Sequence, residues 1–335
     1  MNVEARSNWG EFVKGLSAKF AEVENQADMA YSLGINSATG VEENNYTRIF
    51  KQRMSDKARE EMGSKTGVGY PTLTGEGEDY ATDSRLAGYK TQFNFKKKTN
   101  SIEVTEEMKD DLDNDLSETF DEAKDLYIGF KMEFDRSAFS IFNYAFTAQS
   151  SLPSDLTFYA DGKPMCSTSH PRKDGGSSQS NASSNGNPLS ESNLRTARQD
   201  LRRQKDDRGL PMNIGSGKLV LLVPDSLEDT ARVLTGSSLR PSTANNDLNV
   251  FDGIITVIST KWLNADAGGS DTQWFLLDSM YSPCIFYERR GIKTSIYVDN
   301  KNKNTIYDMS ARWQVGNKNW RGIYGSKGDG SSYTS

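Results

Sequence analysis

The chain has 335 residues, a formal net charge of −6 and 35% hydrophobic residues, with a mean hydropathy of −0.69. Its length exceeds what one ordinary core holds, so two lobes are expected, and its polar composition points to association as a source of missing burial. The acidic balance argues against a sequence-specific DNA binder, no apolar run approaches a membrane span, and the two cysteines, Cys166 and Cys284, give no disulfide framework.

Glu4 and Arg6 leave no secretory-signal core, so a cytoplasmic protein is expected. Residues 7–31 read as an amphipathic helix, with Trp9, Phe12, Val13, Leu16, Phe20, Val23 and Ala27 at helical spacing. A second helical stretch carries Tyr46, Ile49, Phe50 and Met54 and stops near Gly63. Residues 63–77 hold five glycines and Pro71, which interrupt regular structure.

Residues 78–104 alternate like a long polar hairpin with its tip at Arg85–Gly88. Tyr80, Thr82 and Leu86 share one parity, and Phe93 and Phe95 share another on the returning strand. Beyond Lys98 the parity switches to Ile102 and Val104, which requires a bulge or a strand that passes between two environments. An isolated hairpin is marginal in water. This one is therefore expected to lean on a neighbouring subunit through Leu86, Phe93, Phe95 and Lys96.

The longest helical signal spans 105–148, with Met108, Leu112, Leu116, Phe120, Ala123, Tyr127, Phe130 and Phe134 in register. Its other faces are crowded with acids, including Asp113, Asp115 and Glu118. Residues 174–188, rich in Gly, Ser and Asn, read as a flexible loop. An α/β lobe follows over 190–300. Its helices are marked by Ser190, Leu194, Ala197 and Leu201 and by Leu227, Ala231 and Leu234. Its strands are Lys218 to Val223, Ile254 to Ile258 and Trp274 to Leu277. The tail is β-rich over Thr305 to Val315 and Trp320 to Tyr324.

His170 is the only histidine, which excludes multi-histidine metal sites. Cys166 precedes it by four residues, but a catalytic cysteine normally meets a histidine distant in sequence. A hydrogen-bonded loop histidine is the better reading, and replacing either residue is expected to leave assembly intact. Asp111, Asp113, Asp115 and Glu122 match anchors of a calcium loop, yet Leu116 stands where its glycine is required. Gly215-Ser216-Gly217-Lys218 lacks the rest of a phosphate loop and precedes a strand instead of following one. No catalytic residue, cofactor or metal is expected.

Several strings occur in an order that resembles the major capsid proteins of tailed bacteriophages, especially the Mu-like major head subunits. They are Gly75-Glu76-Gly77 before the hairpin, Val104-Thr105-Glu106-Glu107 with Asp110-Asp111, Ala145-Phe146, the segment Asp161 to Pro171, Asp207-Arg208-Gly209-Leu210-Pro211, Leu221-Leu222-Val223-Pro224 and Trp274-Phe275-Leu276. Met165-Cys166 and the Ser/Asn-rich insert after His170 depart from that pattern.

The resemblance implies an α+β, Hong Kong 97-type capsid fold. Its expected parts are an N-terminal arm (1–62), an extended β-hairpin loop (63–104), a peripheral domain on a spine helix (105–189), an inserted axial domain (190–300) and return strands (301–335). It implies self-assembly into hexamers and pentamers of an icosahedral shell around double-stranded DNA, assembled in a host bacterial cytoplasm, and makes Asp113, Asp115 and Glu118 candidates for a face turned toward the packaged DNA. Scaffolding and portal proteins, with decoration proteins in addition, are the implied partners. Alternatives are a protein-cargo nanocompartment of the same fold, a cysteine hydrolase using Cys166 and His170, and a tail-tube protein.

Overall fold

The computed structural model describes residues 46–65, 67–84, 87–107, 117–237, 248–333 and 335. The expected helix over 7–31 lies outside them, as do Arg85 and Leu86 of the expected hairpin tip. In chain order the strands are β1 (Lys51–Met54), β2 (Arg59–Lys65), β3 (Ala87–Asn94), β4 (Lys96–Val104), β5 (Leu156–Thr157), β6 (Leu219–Val223), β7 (Ile255–Ser259), β8 (Trp274–Asp278), β9 (Cys284–Val298), β10 (Thr305–Asn317) and β11 (Ile323–Ser326). The helices are α1 (Ser117–Asn143), α2 (Glu191–Arg203) and α3 (Glu228–Gly236), with short 3₁₀ turns between. This is an α+β chain. Its described residues fall into two compact units, one holding 96–136 and 288–313, the other the rest.

In the first unit β4 pairs antiparallel with β10, from Thr305↔Val104 to Trp313↔Lys96. Burial alternates along β10: Thr305, Tyr307, Met309, Ala311 and Trp313 are buried, and the residues between them are not. That is the pattern of a sheet with one packed face. Helix α1 covers this face with Leu126, Phe130 and Phe134, buried at every fourth residue. Phe134 meets Trp313 edge-on, with ring centroids 4.6 Å apart. Lys98 lies 4.7 Å above the same indole and donates to Glu133 Oε1 at 2.7 Å. Its stem is thus covered while its charge is paired. Burial works against ionised Glu133, yet hydrogen bonds from Arg136 and Lys98 hold its carboxyl below the usual range.

In the second unit β11, β8, β6 and β7 form a four-stranded sheet in that order. β6 runs parallel to β7 and antiparallel to β8. Leu219 to Val223 and Trp274 to Asp278 are buried throughout, as strands covered on both faces must be. Leu194, Ala197 and Leu201 of α2 and Ala231 of α3 complete that core. The Ser190 side chain caps α2 by accepting from Asn193 N. One edge strand, β11, comes from the C-terminal segment, a long-range addition to the 190–300 stretch.

The hairpin differs from its sequence reading. β3 pairs with Arg59–Lys65, not with 78–84. Residues 46–63, read as a helix, make one 3₁₀ turn at Tyr46–Arg48 and then β1 and β2. The helical spacing of Tyr46 and Phe50 serves only to place their rings, Tyr46 on Phe286 at 4.8 Å and Phe50 on Phe142 at 6.1 Å. Pairing with β3 then claims the backbone that follows. Four glycines and Pro71 keep 67–77 out of any strand, and 78–84 is also unpaired. The parity change reflects a change of partner: β3 pairs with β2, and after Phe95 the chain continues as β4 against β10. Gly88 allows the hairpin's irregular register, since a Cβ there would sit 2.4 Å from the Ser64 carbonyl oxygen.

Phe93 and Phe95 do not wait for a neighbour. They are 0% and 6% exposed and cluster with Ile285, Tyr287 and Met62. The expectation that these rings pack on another subunit is therefore corrected: the strand that begins at Cys284, which sequence patterning missed, supplies their partners within the chain. Residues 174–188 are likewise not loose, because Asn181, Ala182 and Ser183 are buried and bridged to Ser167 and Gly325 by backbone hydrogen bonds. Trp320 sits in a turn before β11, not in a strand.

Phe93→Ser should lower subunit stability by about 3–5 kcal/mol, the usual cost of emptying a buried Phe site. Leu73→Ser, at a fully exposed position, should change it by less than about 0.5 kcal/mol. Urea unfolding followed by tryptophan fluorescence measures both. Equal midpoints for the two variants would place Phe93 outside the core.

Candidate functional sites

His170 is the centre of the most elaborate side-chain cluster. Its side chain is 1% exposed. Nδ1 faces Asp161 Oδ2 at 2.6 Å and Nε2 faces Asn181 Oδ1 at 3.0 Å. The ring stacks on Trp320, with centroids 4.3 Å apart and planes 4° from parallel. Asn181 is oriented by its own bonds: Nδ2 donates to Met165 O and Trp320 O, and Oδ1 accepts from Ser167 N. Strand-like hydrogen bonds between His170 and Gln179 hold the backbone. Local sequence explains this arrangement, since Asp161-Gly162 and Pro171 are turn formers on either side.

The cluster extends outward. Arg321 lies 4.4 Å over the Trp320 ring, donates from Nη2 to Asp207 Oδ1 at 3.0 Å, and reaches Lys205 O with Nε. The next residue in that turn, Arg208, pairs with Asp83 at 2.5 Å and also donates to Ser84 O. Asp83 in turn accepts from Gly69 N at 2.6 Å. Those two donors, the Gly69 amide and Arg208, hold the Asp83 carboxyl below its usual range. A chain of stacked rings and ion pairs thus runs from the His170 core to the root of segment 67–84. No sequence signal could have found its long-range links, because His170–Trp320, Arg321–Asp207 and Arg208–Asp83 each join residues more than a hundred apart.

This geometry does not suit Cys–His chemistry. Both ring nitrogens of His170 face oxygens, whereas thiol activation needs one facing sulfur. Burial pushes the Cys166 thiol far up and that of Cys284 to about 12, the opposite of a reactive cysteine. Gly215 N–H, part of the sequence that hinted at a phosphate loop, is occupied by Asp278 Oδ2 at 2.6 Å. Among the described residues no three His, Cys, Asp or Glu side chains are grouped to hold a metal ion. Asp113, Asp115 and the side chain of Glu118 lie outside the described residues. Lys96 is exposed on β4, and Phe93 and Phe95 are interior.

Replacing His170 is therefore a structural insult, and the expectation of unaffected assembly is revised. His170→Ala leaves the Asp161 carboxylate buried without its ring partner and should cost about 3–5 kcal/mol. The double variant with Asp161→Ala should lose less than the sum of the single losses by about 1–3 kcal/mol. Strictly additive losses in chemical denaturation would refute the coupling. Neither cysteine should react with a thiol reagent until the chain is unfolded.

Comparison with known proteins places this geometry. A family model described as "Phage capsid protein" matches residues 88–326, from β3 through β11. No curated protein matches in sequence. Solved structures with the same fold include a chain from Mycobacterium phage Patience, with TM-score 0.57, 10% identity and coverage of 94% of this chain and 89% of that one. Others are the mature capsid of bacteriophage PhiM1, with TM-score 0.52, 13% identity and coverage of 84% and 85%, and the capsid of Ralstonia phage GP4, with TM-score 0.51, 11% identity and coverage of 86% and 87%. The fold is thus the Hong Kong 97 type, and with the family model spanning most of its length, the chain belongs to the phage capsid protein family.

Proposed function

We propose that this chain is the major head protein of a tailed phage whose copies gather as hexamers and pentamers of an icosahedral shell enclosing double-stranded DNA. The observation that carries this reading is the family match over residues 88–326, which includes both the four-stranded sheet and the β4–β10 layer. The order of sequence motifs supports kinship with the Mu-like head subunits. The α/β part within 190–300 corresponds to an axial domain, and α1 with its sheet to a peripheral domain. Assembly takes place in the bacterial cytoplasm with scaffolding and portal proteins, and decoration proteins can join the finished shell. The role is structural and needs no catalytic residue: the one candidate pair, Cys166 and His170, serves the subunit's own interior.

We further propose that the carboxylates clustered in the sequence of 106–125 repel DNA and keep the lining from gripping the genome. The hairpin remains the proposed assembly element. Leu86 and Lys96 are its candidate contacts with another copy, while Phe93 and Phe95 act from inside by fixing its root.

Electron microscopy of particles purified from an expressing host, with nuclease treatment before DNA extraction, tests the reading. Closed icosahedral shells with protected DNA are expected. Shells filled with protein would favour a nanocompartment, and open tubes a tail protein. Replacing Asp113, Asp115 and Glu118 with lysine should leave shells intact but slow packaging or release. Unchanged genome content and release would remove the proposed role of the acidic surface.

A further inference from the structure

The second unit holds a pocket of about 330 Å³ where the end of α2 meets the loop that follows His170. Three cations line it, Arg172, Arg203 and Lys205, against one carboxylate, Asp200. Ser177 and Ser178 add hydroxyls that have no hydrogen-bond partner among the described residues. Arg203 is only loosely committed to Asp200, at 3.7 Å, and the Lys205 ammonium has no ion pair among the described residues. Arg202 and Arg203 in the last turn of α2 also offset the negative end of the helix.

Arg172 supplies an independent sign. Its Nη2 donates to Asp174 Oδ2, but its buried Nε has no acceptor among the described residues. A buried donor left open costs free energy, and an ion or a water is the usual answer to it. The guanidinium is also fixed in place. A Cβ on Gly176 would lie 2.7 Å from it and one on Gly209 2.5 Å, so two glycines cradle it.

The rest of the wall is built before any ligand arrives. Gln179 Nε2 donates to Lys205 O at 3.2 Å and its Oε1 accepts from Lys205 N at 2.8 Å. The Gln179 backbone is held in turn by His170, so the pocket is braced by the buried histidine network. Lys205 is thus anchored by its main chain while its side chain stays exposed.

We propose that this pocket binds a phosphate group, held by the charges of Arg203 and Lys205, the hydroxyls of Ser177 and Ser178, and the open Nε of Arg172. Donors from five side chains on two segments suit a tetrahedral anion, whose oxygens accept from several directions, better than a planar carboxylate. Ser177 and Ser178 belong to the Ser/Asn-rich insert after His170, so the bound group would tie that insert to the end of α2. The pocket lies within one unit of one copy, and its occupancy does not depend on the capsid reading.

The test is equilibrium dialysis of the full-length chain against labelled inorganic phosphate, with chloride holding the ionic strength constant. Saturable binding of one phosphate per chain is expected. Arg203→Gln with Lys205→Gln should weaken it by about tenfold or more, as the loss of charged donors requires. Ser177→Ala with Ser178→Ala keeps every charge and should weaken it as well. Lys218→Gln, a change of exposed charge that does not line the pocket, should leave it unchanged, and circular dichroism checks that each variant folds. Competition identifies the source of the phosphate. Displacement by short duplex DNA at the same ionic strength would assign the pocket to a nucleic-acid backbone, and undisturbed binding would assign it to the free ion; both support the site. Non-saturable uptake, or equal affinity in the unmodified chain and in both pocket variants, overturns the proposal.

Discussion

One ring with no free space around it governs the layout of the second unit. Phe93 is fully buried, its centroid 5.0 Å from that of Tyr287. A Cβ on Gly316 would lie 2.6 Å from the Phe93 ring and 2.3 Å from the Thr157 carbonyl oxygen. The end of β3, the start of β9 and the pairing of β10 with β5 therefore meet at one filled position. Interiors are packed as densely as organic crystals, so a position of this kind cannot be shared out differently without opening a cavity or forcing strain. One residue later β3 ends at Asn94, and at Lys96 the chain enters another sheet as β4.

The polar cluster around His170 does related work with different physics. Buried polar groups are costly unless every donor and acceptor is met, and a satisfied network admits few alternative arrangements. Here the imidazole, two carboxylates, a guanidinium and an indole are joined through Asp161, His170, Trp320, Arg321 and Asp207. The segments that supply them are loops, which would otherwise be the least constrained parts of the chain. The network orders them, and Arg208 carries that order to the base of the 67–84 segment.

A shell subunit needs this division of labour. Its body must be rigid enough that every copy presents the same surfaces, because small errors in angle accumulate around a closed lattice. Its contacts must also form and rearrange without aggregation of the free subunit. An exposed arm rooted in a rigid core meets both demands. Segment 67–84 carries four carboxylates, and Arg208 ties its root at Asp83 and Ser84.

Much of the fold was legible in the sequence. Fully apolar runs identified β6 and β8, helical spacing identified α1, α2 and α3, and the parity change beyond Lys98 marked a strand that changes partner. Ordered motifs carried the family. These features are local, because they depend on side-chain periodicity and on turn formers within a few residues. Pairing was not local. Ala87–Asn94 pairs with Arg59–Lys65 and not with 78–84, whose Asp83 and Ser84 are held instead by Gly69 N and by Arg208, more than a hundred residues away. The strand Cys284–Val298 was hidden because Glu288, Arg289 and Arg290 interrupt its apolar pattern at a stretch that is only half buried. Phe93 and Phe95 looked like rings in need of a neighbour until that strand was in place. The sequence by itself determined which residues must leave water and which elements they build. Only the tertiary structure decided what each buried face would meet, because burial drives association without direction, and the partner is chosen by shape and by hydrogen bonds between residues far apart in the chain.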